Sequence, residues 1–397
     1  MAKIKEDLPD SVQLGTEDWV NQIIITAAKQ RASDIHFDPY ENEFRVRFRI
    51  DGLLNPIVSQ PLELYPMVAR RLKILTKVDI SDDRKPQDGR GQLNDPETKQ
   101  LVEFRLSTIP SIFGEAIVVR FVNQSKSIFE SFEAMGMDPS DAEMMRFTIT
   151  RPSGLFLIAG PAGSGKTSTL YTALNYIRSP QKNIITLEDP VEFHVEHIRH
   201  CQIRPAIGFT FAEGMKAVLR QDPDVIFIGE IRDHETAEVA VRAALSGRLV
   251  FSNISTSDTV GTITRFIELG IPRSFLASSL LLATSKRLLR KNCSNCSESY
   301  TPSDKFLAYA GITSLEGTNF KKGKGCEVCN GKGYRERTAI FEFFVVTKEI
   351  SSLIIEGATT QELIDVARSQ GMKTLRESAI NLAVNGEITL EDAIYIT

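Results

Sequence analysis

Basic residues are not in excess: 47 Lys and Arg stand against 51 Asp and Glu, a net charge of −4. A dedicated nucleic-acid binder usually carries a basic face, so the balance argues against that class. No apolar run approaches the ~18 residues of a membrane-spanning helix. The start, MAKIKEDLPD, is charged and has no apolar h-region, so no secretory signal peptide is expected. The expected location is the cytoplasm, with any membrane association through partners. There is no internal repeat and no low-complexity tract. At 397 residues, 42% hydrophobic and 25% charged, the chain reads as two or three globular domains. Cysteine is scarce, at five residues, and four of them form two pairs, Cys293/Cys296 and Cys326/Cys329. In a reducing compartment CxxC pairs read as metal ligands rather than disulfides.

Residues 16–30, TEDWVNQIIITAAKQ, read as a helix capped by Thr16, with helical apolar spacing from Trp19 to Ala28. EFRVRFRIDGLL then alternates strictly. Phe44, Val46, Phe48 and Ile50 share one face and Arg45, Arg47 and Arg49 the other, before a turn at Asp51-Gly52. That is a β-hairpin with one buried face and a solvated arginine stripe. A helix is expected over 61–77, with strands near 102–107 and 115–121. From Gly154 the pattern changes. GLFLIAG, NIITLED, DVIFIGE and RLVFSNI are continuous apolar runs separated by helical segments, which predicts a parallel sheet covered on both faces. The expected organisation is a tail (1–15), a small α+β domain (16–122), a polar linker acting as a hinge (123–135), an α/β core (136–289), a cysteine-rich insertion (290–335) and a mostly helical C-terminal region (336–397).

GPAGSGKT, residues Gly160, Pro161, Ala162, Gly163, Ser164, Gly165, Lys166 and Thr167, fits G-x4-G-K-[ST] and lies between an apolar strand and a helix, TSTLYTALNYI, whose Ser168 is counted with the expected ATP-binding residues. Glycines let backbone N–H groups turn toward phosphate oxygens. Lys166 adds positive charge at the β- and γ-phosphates, and the Thr167 hydroxyl suits Mg²⁺. The helix N-terminus favours the same anion. ATP hydrolysis also needs acidic groups, and two strands end in them. DVIFIGEIRD supplies Glu230, with Arg232 and Asp233 beyond. IITLEDPVE supplies Glu188 and Asp189, with Glu192 nearby. Ligands in such sheets bind outside the carboxyl ends of the strands. Glu230 is the candidate for polarising the attacking water. The plainer reading of Glu188 and Asp189 is that they cap a turn. Two CxxC knuckles separated by 29 residues can hold Zn²⁺ tetrahedrally in a closed, structural site. The alternative is a nucleic-acid zinc ribbon, suggested by nearby Lys286, Arg287, Arg290 and Lys291.

GPAGSGKTSTLY, ITLEDPVEF, LRQDPDVIFIGEIRD and the paired CxxC sequences together resemble the secretion ATPases of type II secretion and type IV pilus assembly. RASDIHFDPYENEFRVRFRIDGLL is similar to the start of that family's second N-terminal domain, and GMKTLRES to its C-terminal helical region. The resemblance implies a RecA-like P-loop ATPase core preceded by a PAS-like α+β domain. It implies a homohexameric motor at the cytoplasmic face of the inner membrane, acting on a platform protein. Two arginines fifteen residues apart, here Arg90 and Arg105, are expected to close over the nucleotide. The tetracysteine insertion is similar to that of the assembly-type branch. The implied activity is ATP hydrolysis coupled to pilus assembly or secretion.

Two departures stand against that pattern. Only ~15 residues precede the first domain, so recruitment is expected through the platform protein or a further, unidentified element. The stretch Gly247–Thr259, GRLVFSNISTSDT, also lacks two family histidines, and Arg248 and Ser255 stand in their places. Such histidines sense nucleotide at the γ-phosphate or the subunit boundary. Arg248 would keep a permanent charge. Ser255 can donate but cannot titrate. The competing reading is therefore a subunit that binds ATP and hydrolyses it poorly. His194, His197 and His200 read as a solvated loop rather than a metal site.

Overall fold

The computed structural model describes residues 15–122 and 130–396. The chain divides into two compact units, Met1–Ser125 and Lys126–Thr397.

In the first unit, helix α1 (Thr16–Lys29) is followed by strands β1 (Asp34–Pro39), β2 (Glu43–Ile50) and β3 (Leu53–Pro61). Helix α2 (Tyr65–Thr76) precedes strands β4 (Gln87–Asn94), β5 (Leu101–Ser111) and β6 (Gly114–Val122). They form one antiparallel sheet of order β3-β2-β1-β6-β5-β4. The alternation in β2 does what it predicts: Phe44, Val46 and Phe48 are fully buried and pack with Trp19, Ile23 and Ile24 of α1. The opposite face is salted rather than bare. Arg47 pairs with Asp38 at 2.8 Å and Arg49 reaches Asp34 at 3.7 Å. The cap of α1 is Gly15 rather than Thr16, and no side chain serves it. The expected helix over 61–77 begins as a 3₁₀ turn at Leu62–Leu64, because Pro66 marks the start of the α-helix proper.

The second unit opens with a 3₁₀ turn at Glu133–Met135 and helix α3 (Pro139–Ile149). Of the expected linker, residues 123–129 lie outside the described residues. Phe132 is buried in the core of this unit. The second sheet then builds from β7 (Gly154–Ala159), α4 (Lys166–Ile177), β8 (Ile184–Glu188), β9 (Ile198–Gln202), α5 (Phe211–Val218), β10 (Val225–Ile228), α6 (His234–Leu245), β11 (Leu249–Ile254), α7 (Thr259–Glu268), α8 (Arg273–Ser279) and β12 (Leu280–Asn292). A small module carries β13 (Ser297–Ser299), α9 (Asp304–Ala310) and β14 (Lys321–Gly323). Strand β15 (Tyr334–Val345) returns to the main sheet. Helices α10 (Lys348–Glu356), α11 (Thr360–Ser369), α12 (Leu375–Val384) and α13 (Leu390–Ile396) close the chain.

Sheet order is β15-β12-β7-β11-β10-β8-β9, parallel except for β15. Residues alternate between two cores. Phe156, Phe227 and Phe251 face α3 and α4, whereas Leu155, Ile226 and Val250 face α5 to α8. Burial on both sides explains why these strands read as unbroken apolar runs. The chain beyond Thr338 is helical only from Lys348, since β15 runs through Val345.

Candidate nucleotide and metal sites

The chain leaves β7 at Gly160, turns through Pro161, Ala162, Gly163 and Ser164, and enters α4 at Lys166, with Thr167 and Ser168 in the first turn. The loop is tight. A Cβ on Gly160, at φ +144°, would meet the Lys286 carbonyl oxygen at 2.6 Å and Ser164 Oγ at 2.7 Å. One on Gly165, at φ +80°, would sit 3.2 Å from Lys286 Nζ. Glycine is needed at both positions. Lys166 folds back on its own loop, its Nζ donating to the Gly160 and Pro161 carbonyls at 2.6 and 3.1 Å. Burial lowers its pKa, opposed by the negative charge of Glu230. Ser164 is buried, and its hydroxyl has no partner among the described residues. A turn of amides at a helix N-terminus, a lysine bonded only to carbonyls and a spare buried hydroxyl together fit a polyphosphate.

Strand order puts β11 between β7 and β10, so the ends of all three lie side by side. Glu230 follows β10. Its Oε1 accepts from Ser255 Oγ at 2.7 Å and its Oε2 from Arg232 Nε at 2.7 Å, with Arg232 Nη2 at ion-pair distance, 2.6 Å, from Oε2. Burial pushes its carboxyl up, but the bonds from Arg232 and Ser255 and the charge of Lys166 outweigh this and hold it below the usual value. Arg232 is raised mainly by its bond to Glu230, with a smaller contribution from Asp189. Asp233 caps α6 by accepting from Thr236 N and Oγ1. Glu192 lies beyond Asp189 on the loop after β8.

Three expected placements change. Glu188, at the end of β8, is enclosed rather than aimed at the loop. Oε2 accepts from Tyr171 Oη at 2.7 Å; Oε1 accepts from Thr186 Oγ1 at 2.6 Å and faces His200 Nδ1 at 3.1 Å. His200 Nε2 accepts from the Val195 amide, which leaves Nδ1 to carry the proton toward Glu188. The histidine cluster therefore does not form a solvated loop throughout: His197 is exposed, but His200 sits on β9 with its ring buried. Arg248 also parts company with Ser255. It precedes β11, donating to Ser246 O and Oγ, while Ser255 follows that strand. Six strand residues separate them by about 20 Å. They cannot serve one phosphate group in the same subunit.

In the first unit Arg90 and Arg105 are direct cross-strand partners on β4 and β5, and Arg105 is opposite Arg120 on β6. Arg120 extends the arginine row and pairs with Asp34 at 2.7 Å. Its strand position was legible, but the register that aligns it was not.

The four cysteines converge. Cys326 and Cys329 Sγ lie 3.7 Å apart, Cys296 and Cys329 3.8 Å, and Cys293 and Cys326 3.9 Å. A tetrahedron with ~2.3 Å metal–sulfur bonds has edges of about 3.8 Å, so the set fits Zn²⁺. Amides of Cys326 and Gly333 donate to Cys329 Sγ, each at 3.2 Å. The Asn295 amide donates to Cys326 and brings that thiol down to about 6, while burial pushes Cys296 up to about 12. The basic run beside the module is not a free surface. Lys286 is buried, Arg290 pairs with Asp392 at 2.7 Å and Lys291 lies 3.7 Å from Glu387. The support for a nucleic-acid ribbon is thereby lost.

Residues 13–395 match the family described as Type II/IV secretion system protein. The chain is 40% identical to the type IV pilus assembly ATPase PilB of Thermus thermophilus, covering 99% of this chain and 44% of that protein. It is 36% identical to the type II secretion system protein E of Pseudomonas aeruginosa, covering 100% of this chain and 80% of that one. It thus spans less than half of the first relative and most of the second. Among solved structures it is similar to the pilus retraction motor PilT with bound ADP, at 26% identity and a TM-score of 0.62, covering 95% of this chain and 96% of that one.

Proposed function

The chain belongs to the Type II/IV secretion system protein family, and from that premise we propose that it is an ATP-hydrolysing motor for type IV pilus assembly or type II secretion. The observation that carries the reading is Glu230, held by Ser255 and Arg232 at the strand end beside the Gly160–Thr167 loop. The loop amides and Lys166 bind the β- and γ-phosphates, and Lys166 exchanges its carbonyl bonds for phosphate oxygens. Thr167 would hold Mg²⁺, which supplies neutralisation of phosphate charge when bound. Glu230 orients the attacking water and takes its proton. Ser255 aims the carboxylate, so the position without a family histidine still carries a donor to the acidic group. That contact favours a working motor over a poorly hydrolysing subunit.

Glu188 acts at one remove, fixing the end of β8 through Tyr171 and His200. Arg90 and Arg105 are assigned to nucleotide phosphates, and the Arg90→Ala/Arg105→Ala pair should weaken nucleotide affinity. The four cysteines would hold a structural Zn²⁺. A homohexamer working on an inner-membrane platform protein, at the cytoplasmic face, completes the reading.

Phosphate release by the purified protein tests it. Lys166→Ala and Glu230→Gln should each lower the rate at least tenfold, with nucleotide binding lost only in the first. Equal rates in all three proteins would eliminate the motor.

A further inference from the structure

Beneath the phosphate loop lies a second lysine. Lys286, on β12, is 2% exposed, one of the largest fully buried side chains. Its Nζ donates to the Gly165 carbonyl at 3.1 Å and to Thr169 Oγ1 at 2.8 Å, and lies 5.1 Å from the centre of the Phe341 ring. These partners bracket Lys166 on the first turn of α4. Among the described residues no carboxylate lies within ion-pair distance of Nζ. The charged group that acts on it is itself a cation, Arg337 on β15.

Sequence and geometry make this costly. A buried ammonium without a counter-ion is expensive, and a carbonyl, a hydroxyl and an aromatic face offset only part of it. Buried, strongly perturbed groups of this kind cluster at functional sites.

We propose that Lys286 is a positioning residue for the phosphate loop, tying Gly165 and Thr169 together from below so that the loop amides and Lys166 face a polyphosphate. The loop's ligand supplies the negative charge that the lysine lacks. The proposal deepens the nucleotide-site reading of Gly160–Thr167 and rests on it. Burial, with a lesser push from Arg337, brings Lys286 down to about 7. The tie therefore weakens as pH rises through neutrality, and bound phosphate, by favouring the charged form, draws a proton in.

Two measurements on the full chain separate the possibilities. The first is hydrogen exchange of the α4 first turn without nucleotide. The second is the affinity of a fluorescent ADP analogue from pH 7 to 9. Lys286→Met should speed exchange over residues 165–170 about tenfold, weaken the analogue about tenfold at pH 7, and flatten the fall in affinity that the unsubstituted protein shows toward pH 9. Lys286→Arg should keep affinity at the higher pH. Thr169→Val, which removes one acceptor and spares the lysine, should reproduce a smaller part of both effects and covers the case in which Lys286→Met does not fold. Exchange and pH profile both unchanged in Lys286→Met, or in Thr169→Val if that is the folded variant, overturn the proposal. Lys166→Ala tests the underlying reading separately. If it binds the analogue as tightly as the unsubstituted protein, the nucleotide site is refuted, whereas the exchange result still decides whether Lys286 ties the loop.

Discussion

Arg248 and Ser255 flank opposite ends of one strand, so the two positions must be judged separately. Ser255 gives Glu230 one of its two side-chain hydrogen bonds, at 2.7 Å. A hydrogen bond to a charged group contributes about 1.5–3 kcal/mol. The site is partly open to solvent, so about a tenfold loss of turnover is expected for Ser255→Ala, with nucleotide affinity nearly unchanged. The pH profile should move as well. Ser255 stabilises the ionised carboxylate, so its removal raises the Glu230 pKa and shifts the acid limb of the rate profile to higher pH. The Arg248 side chain bonds to Ser246 alone among the described residues, so Arg248→Ala should leave both turnover and that limb in place. A rate loss in Arg248→Ala equal to that in Ser255→Ala would contradict the separation.

At the scale of elements, α4, β8 and β9 are joined by the buried Tyr171–Glu188–His200 chain. Tyr171→Phe leaves one carboxylate oxygen without its 2.7 Å donor, a loss of about 1–3 kcal/mol. Urea unfolding of the variant should show that loss. An unchanged midpoint would mean that the carboxylate finds another donor. Strand β12 carries the opposite case. An ordinary lysine titrates near 10.5 and Lys286 near 7. Between these values the unfolded chain holds the proton that the folded chain lacks, so the native state loses stability as pH falls from about 10 to 7. Lys286→Met should therefore melt higher than the parent, with the gain growing toward pH 7. A lower melting temperature at every pH would show that its bonds to Gly165 and Thr169 outweigh burial. These elements also show what can be read from a sequence. The four fully buried strands announce themselves as apolar runs, and the turn from Gly160 into α4 follows from the G-x4-G-K-T spacing. Strand β12 hides because Thr284, Ser285 and Lys286, all buried, look like a polar break. Strand β9 hides because IRHCQ buries polar groups whose partners come from β8 and α4. The inward turn of Glu188 depends on those same partners, and no local pattern encodes them.

Across the second unit, one strand links the two chemical sites. β12 passes beneath the phosphate loop at Lys286 and ends at Asn292, beside Cys293. Asn292 donates to the Lys321 and Gly386 carbonyls at 2.7 and 3.1 Å, joining the cysteine module to the turn before α13. Leu289, Phe320 and Ile340 share a core with Leu375, Ala379 and Leu390 of the last two helices. The module is thus packed into the C-terminal helices rather than hung from the sheet. A structural Zn²⁺ contributes folding free energy outright, because the unfolded chain has no preformed site. A chelator, or replacement of all four cysteines by serine, should remove one metal per chain and lower the melting temperature. Hydrogen exchange should rise first over residues 293–335 and over α12 and α13, ahead of β7, β10 and β11. Exchange that rises everywhere at once would mean that β12 transmits the loss to the whole sheet. Zinc content unchanged by the serine substitutions would show that the four thiols do not hold it.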